Sequence, residues 1–233
     1  MHSPHRRCRR AVWTLRCEAR YFPRVYQPAH FREDRREVQF DLIHRNPLGT
    51  LISHGIAGLI ANPLPFVLYD GEGASGTLRV HMARANPQWQ QLDGTAECLV
   101  VFAGSNEYIT PSWLPTKQQT GKVVPTWNYA TVHVWGTPRV THDAGWLMRQ
   151  ITDLTAIQES KRPEPWQVTD APAEYVEKLV AAIVGIEIPI ERIEGKWKVS
   201  QNRNEAERTG IVAGLEGQGS EVMAKLVRGP DPL

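Results

Sequence analysis

The stretch Lys122–Gly136, "KVVPTWNYATVHVWG", decides how the rest of the chain is read. From Tyr129 onward it alternates. Ala130, Val132 and Val134 fall on one side, and Tyr129, Thr131, His133 and Trp135 on the other. That is the period of a half-buried strand. The second face is aromatic and polar where a solvated strand would be charged, and Pro-Thr-Trp-Asn leads into it. A flat aromatic ligand, a subunit interface or the wet edge of a barrel would each account for such a face.

Working outward, other strands follow at short spacing. "LGTLISHG" (Leu48–Gly55) reads as one, and "GLIANPLPFVLYD" (Gly58–Asp70) as a second. Pro63 and Pro65 bar the second from a regular central ladder, so it is an edge strand or bends sharply. "GTLRVHMARAN" (Gly76–Asn86) alternates, and "ECLVVFAG" (Glu97–Gly104) is an apolar run suited to a buried strand. Upstream, "EVQFDLIHRNP" (Glu37–Pro47) reads as a short helix stopped before its proline. Downstream the period lengthens. Asp143–Ser160 and Asp170–Gly185 carry helical stripes with Asp caps, Ile186–Ile193 alternates again, and "SEVMAKLVRG" ends the chain as a helix. The expected class is α+β: an antiparallel β-barrel with peripheral helices.

The chain's 233 residues, 41% of them apolar, can bury a substantial core. Its three cysteines, Cys8, Cys17 and Cys98, fit no disulfide framework or metal spacing, so a reducing cytoplasm is expected. The net charge of +2 conceals an asymmetry. Residues 1–24 hold seven arginines and one acid, whereas the remainder has 20 basic against 24 acidic residues. The body is thus mildly acidic, and a DNA contact finds no support in it beyond the basic arm. No apolar run approaches the roughly 18 residues of a membrane span.

The familiar catalytic signatures are missing. There is no Gly-x-Gly-x-x-Gly after a strand, no Walker loop, no Gly-x-Ser-x-Gly and no His-Glu-x-x-His. His54, His81 and His133 sit on separate strands without a partner at ligand spacing, so no metal site is expected. Three polar-aromatic clusters remain. "HMARANPQW" (His81–Trp89) ends a strand with groups able to hold a phosphate, or with an ordinary solvated end. "NEYITPSWLPTK" (Asn106–Lys117) is a proline-bracketed loop of binding type or a plain surface turn. "EGKWKVSQNRNEAERTG" (Glu194–Gly210) is a dense polar run whose tryptophan a solvated loop would not need.

Taken in order, "VYQPAHF", "HRNPLGTLISHGIAGLIANPLPF", "GTLRVHMARANPQW", "VVFAGSNEYITPSW", "KVVPTWNYATVHVWG", "DAPAEYVEKLVAAIVGIEI" and "GKWKVSQNR" resemble the PaiB family of FMN-binding negative transcriptional regulators. The resemblance covers about residues 25–215 without obvious gaps. It implies the FMN-binding split β-barrel, usually a homodimer with the flavin at the subunit interface. By position it places Ala61, Asn62 and Leu64 along the flavin, and His81, Arg84 and Asn86 on its phosphate. Ser112, Trp113, Thr126, Trp127 and Asn128 would line or cover the ring. Trp197, Gln201 and Arg203 would close the site from the C-terminal segment. The resemblance leaves a negative regulator, an FMN-dependent oxidoreductase and a flavin- or haem-binding module without turnover as competing functions.

Val25 stands where the family begins with Met, as a GTG start codon would be written in a frame extended upstream. Residues 1–24 are therefore read as a translated leader or an unstructured arm, and 25–233 as a single split-barrel domain with C-terminal helical elements.

Overall fold

The computed structural model describes residues 25–229 except Ala57 and Asp93; the expectations for residues 1–24 lie outside the described residues. Ten strands and six α-helices follow in order. They are β1 (Arg32–Glu33), α1 (Arg36–Arg45), β2 (Leu48–Gly55), β3 (Gly58–Pro65), β4 (Val67–Tyr69), β5 (Thr77–Ala83), β6 (Cys98–Ile109), α2 (Pro115–Thr120), β7 (Thr126–Gly136), β8 (Arg139–Thr141), α3 (Ala144–Glu159), α4 (Ala173–Ala181), β9 (Ile183–Pro189), β10 (Arg192–Lys198), α5 (Glu205–Gly217) and α6 (Glu221–Arg228).

All pairings are antiparallel, in a six-stranded sheet ordered β1-β10-β7-β6-β2-β3 and a four-stranded sheet ordered β4-β5-β9-β8. The two sheets enclose one core. Phe66 and Phe102 meet edge to face with centroids 5.6 Å apart, among Leu51, Leu78, Val100, Val132, Val134, Ile186 and Ile188. Burying such side chains supplies most of the folding free energy, at roughly 25 cal/mol per Å² of apolar surface.

Pro63 and Pro65 have the effect expected of them. β3 is the edge of the large sheet, and directly after Pro65 the chain leaves for the small sheet as β4. A proline lacks the N–H that a central ladder needs.

Other boundaries differ from the sequence expectation, and Asp170, expected to cap a helix, lies in a short 3-10 turn while Pro172 takes the N-cap position of α4. The strand expected over Glu97–Gly104 runs on to Ile109 through a bulge between Ala103 and Asn106, so Tyr108 belongs to β6 and not to a loop. The single strand expected over Ile186–Ile193 is two, β9 and β10, which turn from one sheet to the other at Ile190–Glu191. Gly185 does not stop a helix. It lies inside β9, where a Cβ would come 2.3 Å from the Trp146 ring, and α3 packs on the small sheet only because that atom is missing.

Candidate functional site: the open face of the large sheet

Alternation gives each sheet two faces. In β7, Ala130, Val132 and Val134 are buried in the core, and Trp127, Tyr129, Thr131, His133 and Trp135 point the other way. Register carries that outer face across the sheet. It continues through Leu99, Val101 and Ala103 of β6, Thr50 and Ile52 of β2, and Ala61 and Pro63 of β3. On the other side it continues through Arg192, Glu194, Lys196 and Lys198 of β10. The helices packing on β6 and β7 are α1 and α6, and they do so from the core side, where Leu42 and Leu226 join the core cluster. Among the described residues no helix packs on the outer face. Trp135 is buried on this face, and Val25–Gln27 cover its β10 rim. Lys196 donates to the Tyr26 carbonyl there and lies between the rings of Tyr26 and Tyr129. The Val25 N–H meets the Glu194 carboxylate at 3.0 Å.

Partial burial on this face has electrostatic consequences. His133 is held below the usual histidine range, chiefly because it is desolvated; Glu194 opposite pulls its pKa up, and Lys196 pushes it down. At neutral pH it is an uncharged imidazole. Lys198 is likewise lowered, by burial and by Lys196 and Arg203 nearby.

The residues expected to form the site fall into two corners. The first gathers on the edge strand. Asn62 donates through Nδ2 to Gln88 Oε1 at 2.8 Å, and Asn86 caps the short 3-10 turn Pro87–Gln91 by accepting from the Gln88 N–H at 3.0 Å. Arg84 precedes that turn. Its Nε and Nη2 donate to the carbonyls of Ala181 and Ile183 at 3.0 Å each, and its Nη1 meets His142 Nδ1 at 3.2 Å. Leu64 is in the core, Ala61 faces outward, and Asn62, in register with Leu51, lies on the same side of β3 as Leu64. His81 stands apart from this corner. It lies under α3 with Nδ1 2.7 Å from Gln150 Oε1, and the buried Nε2 of Gln150 has no partner.

The second corner lies at the far end of β7. Trp127 is 51% exposed, meets Tyr108 (47% exposed) edge to face at 6.0 Å, and donates to Asn106 Oδ1 at 3.2 Å. Thr126 and the Trp127 carbonyl accept from Lys198 Nζ. Asn128, on the core side, donates to Ser200 Oγ at 2.9 Å. Ser200 holds a φ of 66°, a left-handed conformation rarely adopted by side-chain-bearing residues and fixed here by that bond. Trp197 is buried, and its carbonyl accepts from the Gln201 amide. Arg203 pairs with Glu207 at 3.5 Å. Ser112 accepts from Lys117 Nζ at 3.0 Å. Trp113 packs inward on α5, where a Cβ on Gly214 would come 2.2 Å from its ring and one on Gly210 would come 2.1 Å from its carbonyl oxygen.

The corners are well separated. Asn62 pairs with Leu51, Leu51 with Val100 and Val100 with Val134, while Trp127 lies seven residues along β7, or about 23 Å at strand rise. Sequence reasoning missed Gln88 and Gln150, whereas Tyr108 and Lys198 lay within the polar-aromatic stretches it singled out. Only Gln88 had a signal, its place beside the quoted Asn86-Pro87 in a turn-initiating dipeptide.

In kind the donor set fits FMN. A flavin ring needs apolar surface with a few directed polar groups, and the open face offers Ile52, Leu99 and Val101 beside exposed indole, imidazole and amide groups. Arg84 is exposed and has two further N–H groups beyond the three that anchor it, the kind of donors an anion takes. Among the described residues no cluster of three or more His, Cys, Asp or Glu could hold a metal ion. Cys98 is buried and its thiol is pushed up to about 12 by desolvation, so it supplies no nucleophile.

Comparison with known proteins agrees. Residues 25–192 match the family model described as "Putative FMN-binding domain". The chain is 38% identical to the uncharacterized protein AN0679 of Emericella nidulans, over 88% of this chain and 96% of that one. It is 28% identical to the Protease synthase and sporulation protein PAI 2 of Bacillus subtilis, over 83% of this chain and 90% of that one. Among solved structures, the FAD and heme binding protein from Mycobacterium smegmatis superposes with a TM-score of 0.55 at 18% identity, covering 78% of this chain and 80% of that one. An α+β split barrel, a match that spans most of the chain and a donor set suited to a flavin converge: the chain belongs to the PaiB family of FMN-binding proteins, and its cofactor is FMN.

Proposed function

We propose that two copies of the chain pair through the open face of the large sheet and hold FMN between them, and that the complex acts as a flavin-responsive regulator of the PaiB type. The observation that carries this reading is the separation of the corners. One flavin cannot touch Asn62 and Trp127 of the same chain about 23 Å apart along the strands, but a two-fold axis through the open face brings the first corner of one copy toward the second corner of the other. In this reading β3 runs along the ring at Ala61–Asn62, presenting Ala61 and the strand backbone, Arg84 and Asn86 bind the phosphate, and Thr126 and Trp127 of the other copy cover the ring. Lys198 positions them, and Asn128, Trp197, Gln201 and Arg203 support that corner from the core side. FMN supplies redox or light-absorbing chemistry; the protein's own part is to bind, orient and shield it.

The regulator role draws support from the B. subtilis relative. FMN titration with fluorescence and melting temperature tests the binding. At a hundredfold excess over Kd the native state should gain about 2.7 kcal/mol. Flavin that is neither quenched nor stabilising would defeat it. Bleaching of bound flavin by NADPH would favour an oxidoreductase. DNA binding that persists at two salt concentrations after removal of residues 1–24 would favour the regulator, since binding by the arginine-rich arm alone disappears with the arm.

A further inference from the structure

Residues of β1, of β10, from the start of α1 and from the end of α6 line a cavity of about 330 Å³. Its apolar lining is Val38, Trp197, Val199, Leu226 and Val227, all five of them members of the core cluster. It therefore lies on the core side of β10, away from the open face to which Lys196 and Lys198 belong. The charged lining is mostly cationic: His30, Arg32, Arg35 and Arg208 stand against one carboxylate, Glu33. That carboxylate is already taken. Arg35 donates Nε to its Oε1 at 2.9 Å and Nη2 to its Oε2 at 2.7 Å. Arg32 pairs with Asp34 at 2.8 Å.

Arg208 differs from both. Its Nε and Nη2 donate to the Val227 carbonyl at 3.0 and 2.6 Å, and Nη2 donates to the Arg228 carbonyl as well. Carbonyls fix a guanidinium in place but do not neutralise it. Among the described residues no carboxylate pairs with Arg208, and the two N–H groups of its Nη1 have no acceptor. Trp197 adds a second unanswered donor. The residue is only 6% exposed, its carbonyl accepts from Gln201, and its indole N–H has no acceptor among the described residues. A buried indole N–H ordinarily has one. The benzo edge of the ring lies over Gly195, where a Cβ would come 2.8 Å from Cζ3, so the N–H is on the opposite edge.

We infer that this cavity is a binding site, separate from the flavin, for a small organic acid with a compact apolar body. The body covers Val38, Val199 and Leu226, and the carboxylate accepts from Arg208 Nη1 and the Trp197 indole. A concave, largely apolar site with a few fixed donors is the usual form of a small-molecule pocket, and the volume is at the lower end of the range such pockets span. A neutral apolar molecule would cover the floor and leave both donors unanswered. A bare inorganic anion would answer the donors and leave the floor wet.

The test titrates three probes into the full-length protein by calorimetry, each with and without saturating FMN: 2-naphthoate, its neutral counterpart 2-naphthylmethanol, and inorganic phosphate. One naphthoate should bind per chain, unaffected by FMN and about tenfold or more tighter than either other probe, the worth of a charge-assisted hydrogen bond. Arg208→Gln should bring the acid and the alcohol within about twofold of each other. Trp197→Phe, which keeps an apolar ring and loses the N–H, should weaken the acid about fivefold. No naphthoate binding, equal affinity for the acid and the alcohol, or phosphate as tight as naphthoate overturns the inference. So does competition by FMN, which would assign the cavity to the flavin, and so does a preference for the acid that survives Arg208→Gln. If Arg208→Gln, which also frees the end of α6, does not fold, Trp197→Phe decides, and an unchanged naphthoate affinity there overturns the inference.

Discussion

The two sheets treat their outer faces in opposite ways. The small sheet's outer face is covered by α3 through a polar layer. Arg79 pairs with Glu72 at 2.7 Å and Glu187 at 2.9 Å and lies over the rings of Tyr69 and Trp146. The Tyr69 hydroxyl donates to Asp153, and its pKa is pushed up to about 12 by burial and by that carboxylate. His81 faces Gln150, and Trp146 fills the space over Gly185. The large sheet's outer face has aromatic, apolar and cationic groups with no helix of the described residues over them. On the covered face the polar groups are mostly satisfied within the chain and hold a helix in place. On the open face Trp127, Tyr108, Leu99 and Val101 remain for another molecule.

Substitutions on the two faces should therefore separate stability from binding. The largest stability effect is expected at Gly185→Leu, which drives a side chain into the Trp146 ring; overpacking of this kind costs about 3 kcal/mol or more, read as a lower midpoint in urea. Arg79→Met leaves Glu187 and Glu72 without their partner and should cost about 2 kcal/mol, discounted because all three remain partly solvated. Arg84→Ala should weaken FMN about tenfold while affecting riboflavin much less, since only FMN carries the phosphate; isothermal titration with both ligands reads the difference. Equal losses would place the phosphate elsewhere. Trp127→Ala should leave the flavin-free protein within about 0.5 kcal/mol of wild type and still weaken FMN, the reverse of the pattern at Gly185.

The smallest effect concerns pH. His133 has a folded pKa below its unfolded value, so the unfolded state takes up the proton first. Stability is unchanged above the unfolded pKa of roughly 6.5 and falls as the pH drops from there toward the folded pKa. His133→Gln should flatten that part of a melting-temperature profile. An unchanged slope would assign the acid sensitivity to other groups.

Much of this division was legible in the sequence. The alternation of Tyr129–Trp135 identified β7 and its aromatic face, and two prolines marked β3 as an edge. The legible features are local: period and proline chemistry act within a few residues. What failed was non-local. Glu194–Gly210 read as one polar run, yet its first part is β10, whose Glu194 and Lys196 are buried by Val25–Gln27 and whose Trp197 enters the core. Its second part opens α5, capped by Asn204 and kept free of side chains at Gly210 and Gly214 so that Trp113 can lie against it. Trp113, expected over the flavin, packs within its own chain. Arg84 was read as a phosphate group from its place at a strand end, but the carbonyls that anchor it come from residues about a hundred positions later. The resemblance assigned both corners to one flavin at a subunit interface; register separates them within one chain.

The most direct measurement is sedimentation equilibrium of the wild type and of Val101→Glu, each with saturating FMN and with flavin absorbance recorded along the cell. Val101 lies in the middle of the open face, away from both corners. The expected result is a wild type at twice the chain mass with flavin co-sedimenting, and a folded Val101→Glu variant at the chain mass that has lost FMN along with its partner. A wild-type monomer carrying FMN at full occupancy, or a Val101→Glu monomer that retains it, would contradict a flavin site shared across the open face.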